Sequence, residues 1–258
     1  MPIKYVRSLT GRRRTTAANR HLGFALAFVA GAINAGGFLA VHQYTSHMTG
    51  IVSSMADNSV LGDYDLVLSG TGALLSFLVG AACSAVMVNY SRRRRMHSEF
   101  AVPLLFEAFL LICFGFMGAQ LSTVDGLFVS VTVMLLCFIM GLQNAVITKI
   151  SKAEIRTTHI TGIITDIGIE FGKLFYWNAV STSPHPKVLA NRTRLKILIL
   201  LALNFFFGGV VGAFGFKHIG YISTVPLAMV LVTLAIVPAF DDVRLFVRRV
   251  MRKRTNAC

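Results

Sequence analysis

The sequence predicts an all-α polytopic membrane protein with six transmembrane helices and two short re-entrant or half-helices, arranged as an inverted internal repeat. Of its 258 residues, 55% are hydrophobic and only 14% are charged, whereas about a quarter of the residues of soluble domains are charged. The mean hydropathy is +0.67. One heptapeptide pattern also occurs twice between apolar stretches, as YTSHMTG at 44–50 and as RTTHITG at 156–162.

Six segments reach the roughly 20 apolar residues that a helix needs to cross a bilayer. They cover 22–41, 67–89, 102–120, 127–148, 195–216 and 221–240. Two further segments, 46–60 and 157–176, have helical patterns but are too polar or too short for full spans. We expect them to form half-helices, and the sequence leaves open whether these re-enter the membrane, cross it or lie at its interface.

The net charge of +14 comes from basic residues in the gaps between the apolar segments. With six spans and a cytoplasmic N-terminus, 24 of the 25 Lys and Arg residues lie on the cytoplasmic side, and only Lys217 lies outside. This distribution predicts a membrane protein of six full spans with both termini in the cytoplasm. The segments 1–21 and 241–258 would be basic cytoplasmic ends, the latter touching membrane lipids. We expect no nucleic-acid partner, because no recognition module accompanies the charge.

Other motifs recur in the same order in two halves, 22–120 and 127–240. The matched pieces are Gly31-Ala32-Ile33-Asn34-Ala35 with Gly141-Leu142-Gln143-Asn144-Ala145, Phe77/Gly80/Ser84 with Phe205/Gly208/Gly212, and Val102-Pro103-Leu104 with Val225-Pro226-Leu227. Each half would contain three crossings, so the second copy would be inserted upside down. Inverted repeats of this kind are typical of secondary transporters, whose sites form at the repeat interface near the bilayer midplane.

The two heptapeptides place His47 and His159 at equivalent positions, at the start of each half-helix. Thr and Ser residues directly before them are suitable N-caps, namely Thr45, Ser46, Thr157 and Thr158. If the half-helix N-termini reach the membrane centre, their free N–H groups would face a cavity. The histidines, with Thr49 and Thr161, would then bind a substrate; alternatively, they cap and pack.

Other polar residues fall within or beside the predicted spans. Asn34 and Asn144 could touch a substrate or could hydrogen-bond the broken backbone of the half-helices. Glu107 lies inside a full crossing, where it could relay protons or stay as a buried neutral acid. Asp166 and Glu170 share one face of the second half-helix and could supply charge compensation or proton coupling.

The chain shows no sign of a cofactor, a metal site or an enzyme. Its four cysteines contain no CxxC pair, which argues against zinc and against a disulfide framework. Hydrolase motifs and a Gly-rich phosphate loop are also absent from the sequence.

The paired motifs, Gly-x-x-Asn-Ala then Ser-His-Met-Thr-Gly in the first half and Gly-Leu-Gln-Asn-Ala then Arg-Thr-Thr-His-Ile-Thr-Gly in the second, resemble those of the YoaK family. That is a family of bacterial six-span inner-membrane proteins of uncharacterised function, and the resemblance extends from about residue 22 to 240. It implies membrane location and duplication. Many members carry an acid where this chain has Asn34, and an asparagine where it has Ile51.

These observations favour a secondary transporter, an exporter or exchanger of a small polar metabolite. Its site would lie between the two half-helices, formed by His47, Thr49, Asn34, Asn144, His159 and Thr161, with coupling by Asp166, Glu170 and Glu107. The alternatives are a channel that uses the same helix ends, or a non-transporting membrane scaffold or assembly protein. Substrate, direction and coupling ion stay open, and a homo-oligomer is compatible with the sequence.

Overall fold

A computed structural model describes residues 15–94, 96, 99–121, 127–150, 159–177 and 187–255. This part of the chain is helical. Its helices are α1 (Thr16–Val41), α2 (Met48–Leu61), α3 (Tyr64–Arg93), α4 (Ala101–Leu121), α5 (Leu127–Ile150), α6 (Ile160–Phe175), α7 (Arg192–His218) and α8 (Thr224–Thr255), with a 3-10 turn at Gly220–Ser223.

Six of these helices, α1, α3, α4, α5, α7 and α8, are long and apolar enough to cross a membrane. The all-α class and the six predicted spans are therefore confirmed. In contrast, α2 has 14 residues and α6 has 16. At 1.5 Å per residue they measure about 21 and 24 Å, less than the roughly 30 Å of a hydrocarbon core.

Two helix boundaries differ from those that hydropathy alone predicts. Helix α1 begins at Thr16 rather than near residue 22, because the Thr15 side chain caps it by accepting the Ala18 N–H at 3.2 Å. Helix α8 continues through the basic segment to Thr255. That segment, 241–255, contains no Gly or Pro, and its many Arg residues favour a helix.

Close packing of α3 against α5 joins the two halves of the sequence. A Cβ on Gly141 of α5 would overlap the backbone carbonyl of Phe77 in α3, and a Cβ on Gly80 of α3 would overlap that of Phe138. Without side chains at these two positions, the helix backbones touch directly. Close approach of this kind is a main source of helix association in lipid, where the hydrophobic effect offers little.

The same contact recurs between α1 and α7, which also belong to different halves. Here Gly31 of α1 lies against the carbonyl of Phe205 in α7, and Gly208 of α7 lies against that of Phe28. These glycines and phenylalanines correspond in sequence to those at the α3–α5 crossing. The two crossings thus use matching residues from matching helices.

The half-helix α6 runs antiparallel to the first part of α7. Near its end, Glu170 accepts a hydrogen bond from the N–H of Asn191, immediately before α7. At its start, Ile160 and Ile164 share a cavity with Leu203 and other residues from the middle of α7. The first turn of α6 therefore lies level with the middle of a transmembrane helix, whereas its last turn lies at that helix's end.

The half-helix α2 has the same relation to α3. It ends at Leu61, followed by the left-handed Gly62 and the start of α3 at Tyr64. Its side chains Ile51 and Met55 lie against Gly70 of α3. Both half-helices therefore fold back along the helix that follows them.

A substitution at neighbouring glycines of α7 tests the close crossing. Gly208→Ala places a methyl group against the carbonyl of Phe28, which cannot move without displacing α1. We expect the free energy of unfolding to fall by about 1–3 kcal/mol or more. A Cβ on Gly209 would lie 3.7 Å from the nearest atom, the carbonyl oxygen of Gly31, so Gly209→Ala should be tolerated. Thermal unfolding in detergent compares the two; equal midpoints would contradict this crossing.

Candidate functional site

The connection between α1 and α2 turns the chain back towards the middle of α1. Helix α1 ends where His42 adopts a left-handed conformation, with φ 53°. The side-chain oxygen of Asn34, back inside α1, then accepts hydrogen bonds from the N–H of Ser46 at 3.3 Å and from its hydroxyl at 2.8 Å. Asn34 thus supplies a hydrogen-bond acceptor to backbone that has left the helix, and a buried N–H group without such a partner is costly.

The two heptapeptide histidines occupy matching positions. His47 directly precedes α2 with φ −98° and ψ 69°, and His159 directly precedes α6 with φ −87° and ψ 56°. Each histidine carbonyl accepts the first hydrogen bond of its helix, from the N–H of Ile51 at 3.1 Å and from that of Ile163 at 3.0 Å. The two turns have matching backbone conformations. This explains why the heptapeptide occurs twice, since both copies form the same helix start.

The glycine three residues after each histidine leaves room for its ring. A Cβ on Gly50 would lie 2.6 Å from Nδ1 of His47, and a Cβ on Gly162 would lie 2.8 Å from Nδ1 of His159. Both rings therefore fold over the first turn of their half-helix. Any larger residue in place of the glycine would turn the ring away.

The expectation that Ser and Thr side chains cap these helices is wrong for α2. The N-cap position belongs to His47, whose side chain makes no capping hydrogen bond. Thr45 is fully buried, and its hydroxyl has no hydrogen-bond partner among the described residues. Ser46 binds Asn34 instead, because the loop must turn back before the helix starts. Thr157 and Thr158 lie outside the described residues.

A polar cavity of about 390 Å³ lies between the α1–α2 connection, α2 and the start of α3. Its polar lining consists of hydroxyl, amide and imidazole groups, from His42, Gln43, Tyr44, His47, Ser54 and Ser69. We refer to it as the polar chamber. Among the described lining residues there is no Asp, Glu, Lys or Arg.

A second cavity, of about 680 Å³, lies between α1, α6 and α7. Its walls are apolar, with Ile160 and Ile164 from α6 and Phe206 from α7, and its polar groups among the described lining residues are Asn34 and Tyr44. We refer to it as the apolar chamber. Tyr44 lines both chambers, and its ring is stacked on Phe38 with centroids 4.5 Å apart.

Two of the predicted coupling acids are engaged at the contact between α6 and α7. Asp166 accepts a hydrogen bond from Arg194 at 2.9 Å. Glu170 is buried and accepts from Lys173 at 2.9 Å and from the N–H of Asn191 at 2.7 Å. These two contacts hold the pKa of the Glu170 carboxyl below its usual range. Both acids thus connect the half-helix to the helix that follows it.

Glu107 is separate from both chambers. It is fully buried in α4 and faces the amide of Gln143 in α5, which is also fully buried. No described residue gives either side chain a hydrogen bond of good geometry.

The remaining predicted site residues do not join the chambers' described lining. Thr49, His159 and Thr161 are exposed beside them, and Asn144 is half-buried in α5. Of the predicted site residues, His47 lines the polar chamber and Asn34 lines the apolar chamber, each together with Tyr44. Glu107 lines neither chamber. Sequence reasoning missed Tyr44, although it is the first residue of the repeated heptapeptide; Arg156 holds that position in the second copy, so the repeat gave no reason to select it.

No group of three His, Cys, Asp or Glu residues with metal-site geometry occurs in the described ranges.

Six helices long and apolar enough to span a membrane, with two short helices that fold back along them, define a polytopic membrane protein. A family model described as "Protein of unknown function (DUF1275)" matches residues 22–237, and the chain belongs to that family. It is also 26% identical over 153 residues to the UPF0700 transmembrane protein YoaK of Bacillus subtilis strain 168, covering 58% of this chain and 67% of YoaK. The YoaK-family prediction is confirmed. No solved structure matches the chain.

Replacement of Asn34 tests its role in holding the turned-back loop. Asn34→Ala removes the acceptor for Ser46, and we expect a loss of about 1–3 kcal/mol in unfolding free energy. Asn34→Asp keeps an acceptor oxygen and should lose less. Thermal unfolding and amide exchange at Ser46 measure both effects.

Asn204 in α7 provides the matched control. Its amide donates to the Leu200 carbonyl of its own helix at 2.7 Å, so Asn204→Ala should cost little. If Asn34→Ala is as stable as Asn204→Ala, the asparagine does not hold the loop.

Proposed function

We propose that this protein is a secondary transporter, an exporter or exchanger, whose site consists of the two chambers that share Tyr44. One observation carries the proposal: the connection into α2 and the first turn of α6 line the same cavity, beside the middle of α1 and α7. Broken helices that end at a central cavity are the usual construction of transporter sites. Non-helical backbone at that depth is tolerated where it lines such a cavity.

The proposal includes an inverted repeat. The matched glycine contacts of α1–α7 and α3–α5 support a pseudo-twofold relation between the halves. So does the way in which each half-helix packs on the following helix. Movement of one half against the other would then open the chambers to either side of the membrane in turn.

The lining of the chambers suggests the class of solute. The polar chamber offers hydrogen bonds, the apolar chamber offers aliphatic and aromatic walls, and neither has a described Asp, Glu, Lys or Arg. An unpaired charge is costly to place in such surroundings. The preferred solute is therefore a small uncharged molecule with a hydrogen-bonding end and an apolar body, which narrows the small polar metabolite expected from the sequence.

Glu107 is the proposed carrier of a coupling proton. Asp166 and Glu170 have basic partners, Arg194 and Lys173, that already compensate their charges. Glu107 faces the uncharged amide of Gln143 instead. An intramembrane acid of this kind is a functional group by default.

The proposed location is a bacterial inner membrane, with both termini in the cytoplasm. The placement of 24 of the 25 Lys and Arg residues supports this orientation. The two chambers would then be reached from opposite sides of the membrane. The polar chamber would be reached from the outer side, where α2 ends, and the apolar chamber from the cytoplasmic side, where α6 ends.

Solute flux from proteoliposomes tests the transporter proposal. Liposomes loaded with a bacterial small-metabolite extract would be compared with protein-free liposomes by mass spectrometry of the released solutes. We expect at least one solute to leave faster with the protein present. Gly50→Ala, which displaces the His47 ring from its place in the polar chamber, should slow that flux about tenfold, the equivalent of one lost hydrogen bond of about 1.4 kcal/mol.

The control lies on the other half-helix. A Cβ on Gly168 would meet nothing within 4 Å, so Gly168→Ala should transport normally. Release that is identical with and without protein, for every solute, would overturn the transporter proposal; equal rates for the two variants would remove His47 from the site.

A further inference from the structure

A third cavity, of about 540 Å³, lies where α1 and α7 begin, at one face of the membrane. It is distinct from the two chambers and shares no described lining residue with them. Its rim is basic and its floor is apolar. The rim includes Arg20, His21, Arg192 and Lys196, and the floor includes Phe24, Ile197 and Leu200.

Three cations lie at the rim of this cavity. Arg20, Arg192 and Lys196 each contribute one, and no carboxylate belongs to the described lining. Among the described ion pairs, the one on α7 joins Arg194 to Asp166, outside that lining. Like charges held around one cavity repel each other, and an anion between them would relieve the repulsion.

The chemistry of the rim and floor identifies the anion. Guanidinium groups bind phosphate through two parallel hydrogen bonds, and basic pockets between transmembrane helices bind anionic headgroups. A free phosphate would leave the floor of Phe24, Ile197 and Leu200 uncovered. A phospholipid would place its phosphate at the rim and an acyl chain on that floor.

We propose that this cavity binds an anionic phospholipid, with Arg20, Arg192 and Lys196 holding its headgroup. Because α1 and α7 come from different halves of the chain, the bound lipid would brace the contact between the halves at this face. The proposal does not depend on the identity or existence of a transported solute.

Lipid binding to the delipidated full-length protein tests it. The probes are phosphatidylglycerol, phosphatidylcholine and inorganic phosphate, measured by native mass spectrometry and by the midpoint of thermal unfolding. We expect phosphatidylglycerol to be retained and to raise the midpoint, with little effect from the other two. In the variant Arg20→Gln/Arg192→Gln/Lys196→Gln, its affinity should fall at least about tenfold, as for the loss of charge-assisted hydrogen bonds.

A matched variant removes three basic residues elsewhere. Arg93, Arg94 and Lys187 are exposed and lie outside the described cavity lining, so Arg93→Gln/Arg94→Gln/Lys187→Gln should bind phosphatidylglycerol as the wild type does. If the first variant does not fold, Thr193→Glu places a carboxylate on an exposed part of the rim and should weaken binding equally.

Three results would overturn the proposal. Equal binding of phosphatidylglycerol by the cavity variant and the matched variant would show that the lipid recognises overall charge only. Equal stabilisation by inorganic phosphate would show an anion site without a lipid. Equal retention of phosphatidylcholine would show that the headgroup charge does not matter.

Discussion

The backbone contacts at two glycine crossings pair four of the six candidate spans, and the rest of the described fold is arranged around them. Lipid tails are as apolar as leucine, so helices in a bilayer gain little from burying apolar side chains and depend on close packing. Gly208 and Gly31 allow α1 to touch α7, and their counterparts Gly80 and Gly141 allow α3 to touch α5. Each contact joins one half of the sequence to the other. The helices that carry the half-helices, α3 and α7, are thereby fixed against α5 and α1.

The turned-back half-helices follow from that arrangement. A chain that turns back inside a membrane must find hydrogen bonds for backbone that has left the helix. Asn34 supplies them at Ser46 on the α1 side. At the far end of the other half-helix, the Glu170 carboxylate accepts a hydrogen bond from the N–H of Asn191, where α7 begins. Polar residues that the sequence suggests for a binding site thus also stabilise the fold through these hydrogen bonds. The chambers lie beside the half-helices that they hold in place.

The duplicated heptapeptide was informative because both copies are subject to the same local constraint. A histidine followed three residues later by glycine gives the same helix start at His47 and His159. Hydropathy was sufficient for the six spans, since length and apolar composition determine whether a helix can cross. The Asn34 motif left two roles open, and the hydrogen bonds to Ser46 support the structural one.

Other features depend on long-range contacts that no sequence pattern reports. Asp166 and Glu170 share a polar stripe with His159 in the sequence, yet both are paired at the α6–α7 contact. Glu107 is a lone acid in the sequence, and its neighbour Gln143 becomes apparent only when α4 and α5 pack together. Tyr44 became notable only because two chambers meet at its ring. Such residues acquire their surroundings from helices distant in sequence.

The proposed site requires both half-helices to begin near the middle of the membrane, beside Tyr44. Spin labels on Tyr44→Cys and Ile160→Cys, in a background without the four native cysteines, measure the distance between these two positions in lipid nanodiscs. We expect one short distance, because both residues line one cavity. If α6 began at the membrane face, its label would be displaced by about 15 Å, half the hydrocarbon thickness. A single distribution at that longer separation would rule out a shared site.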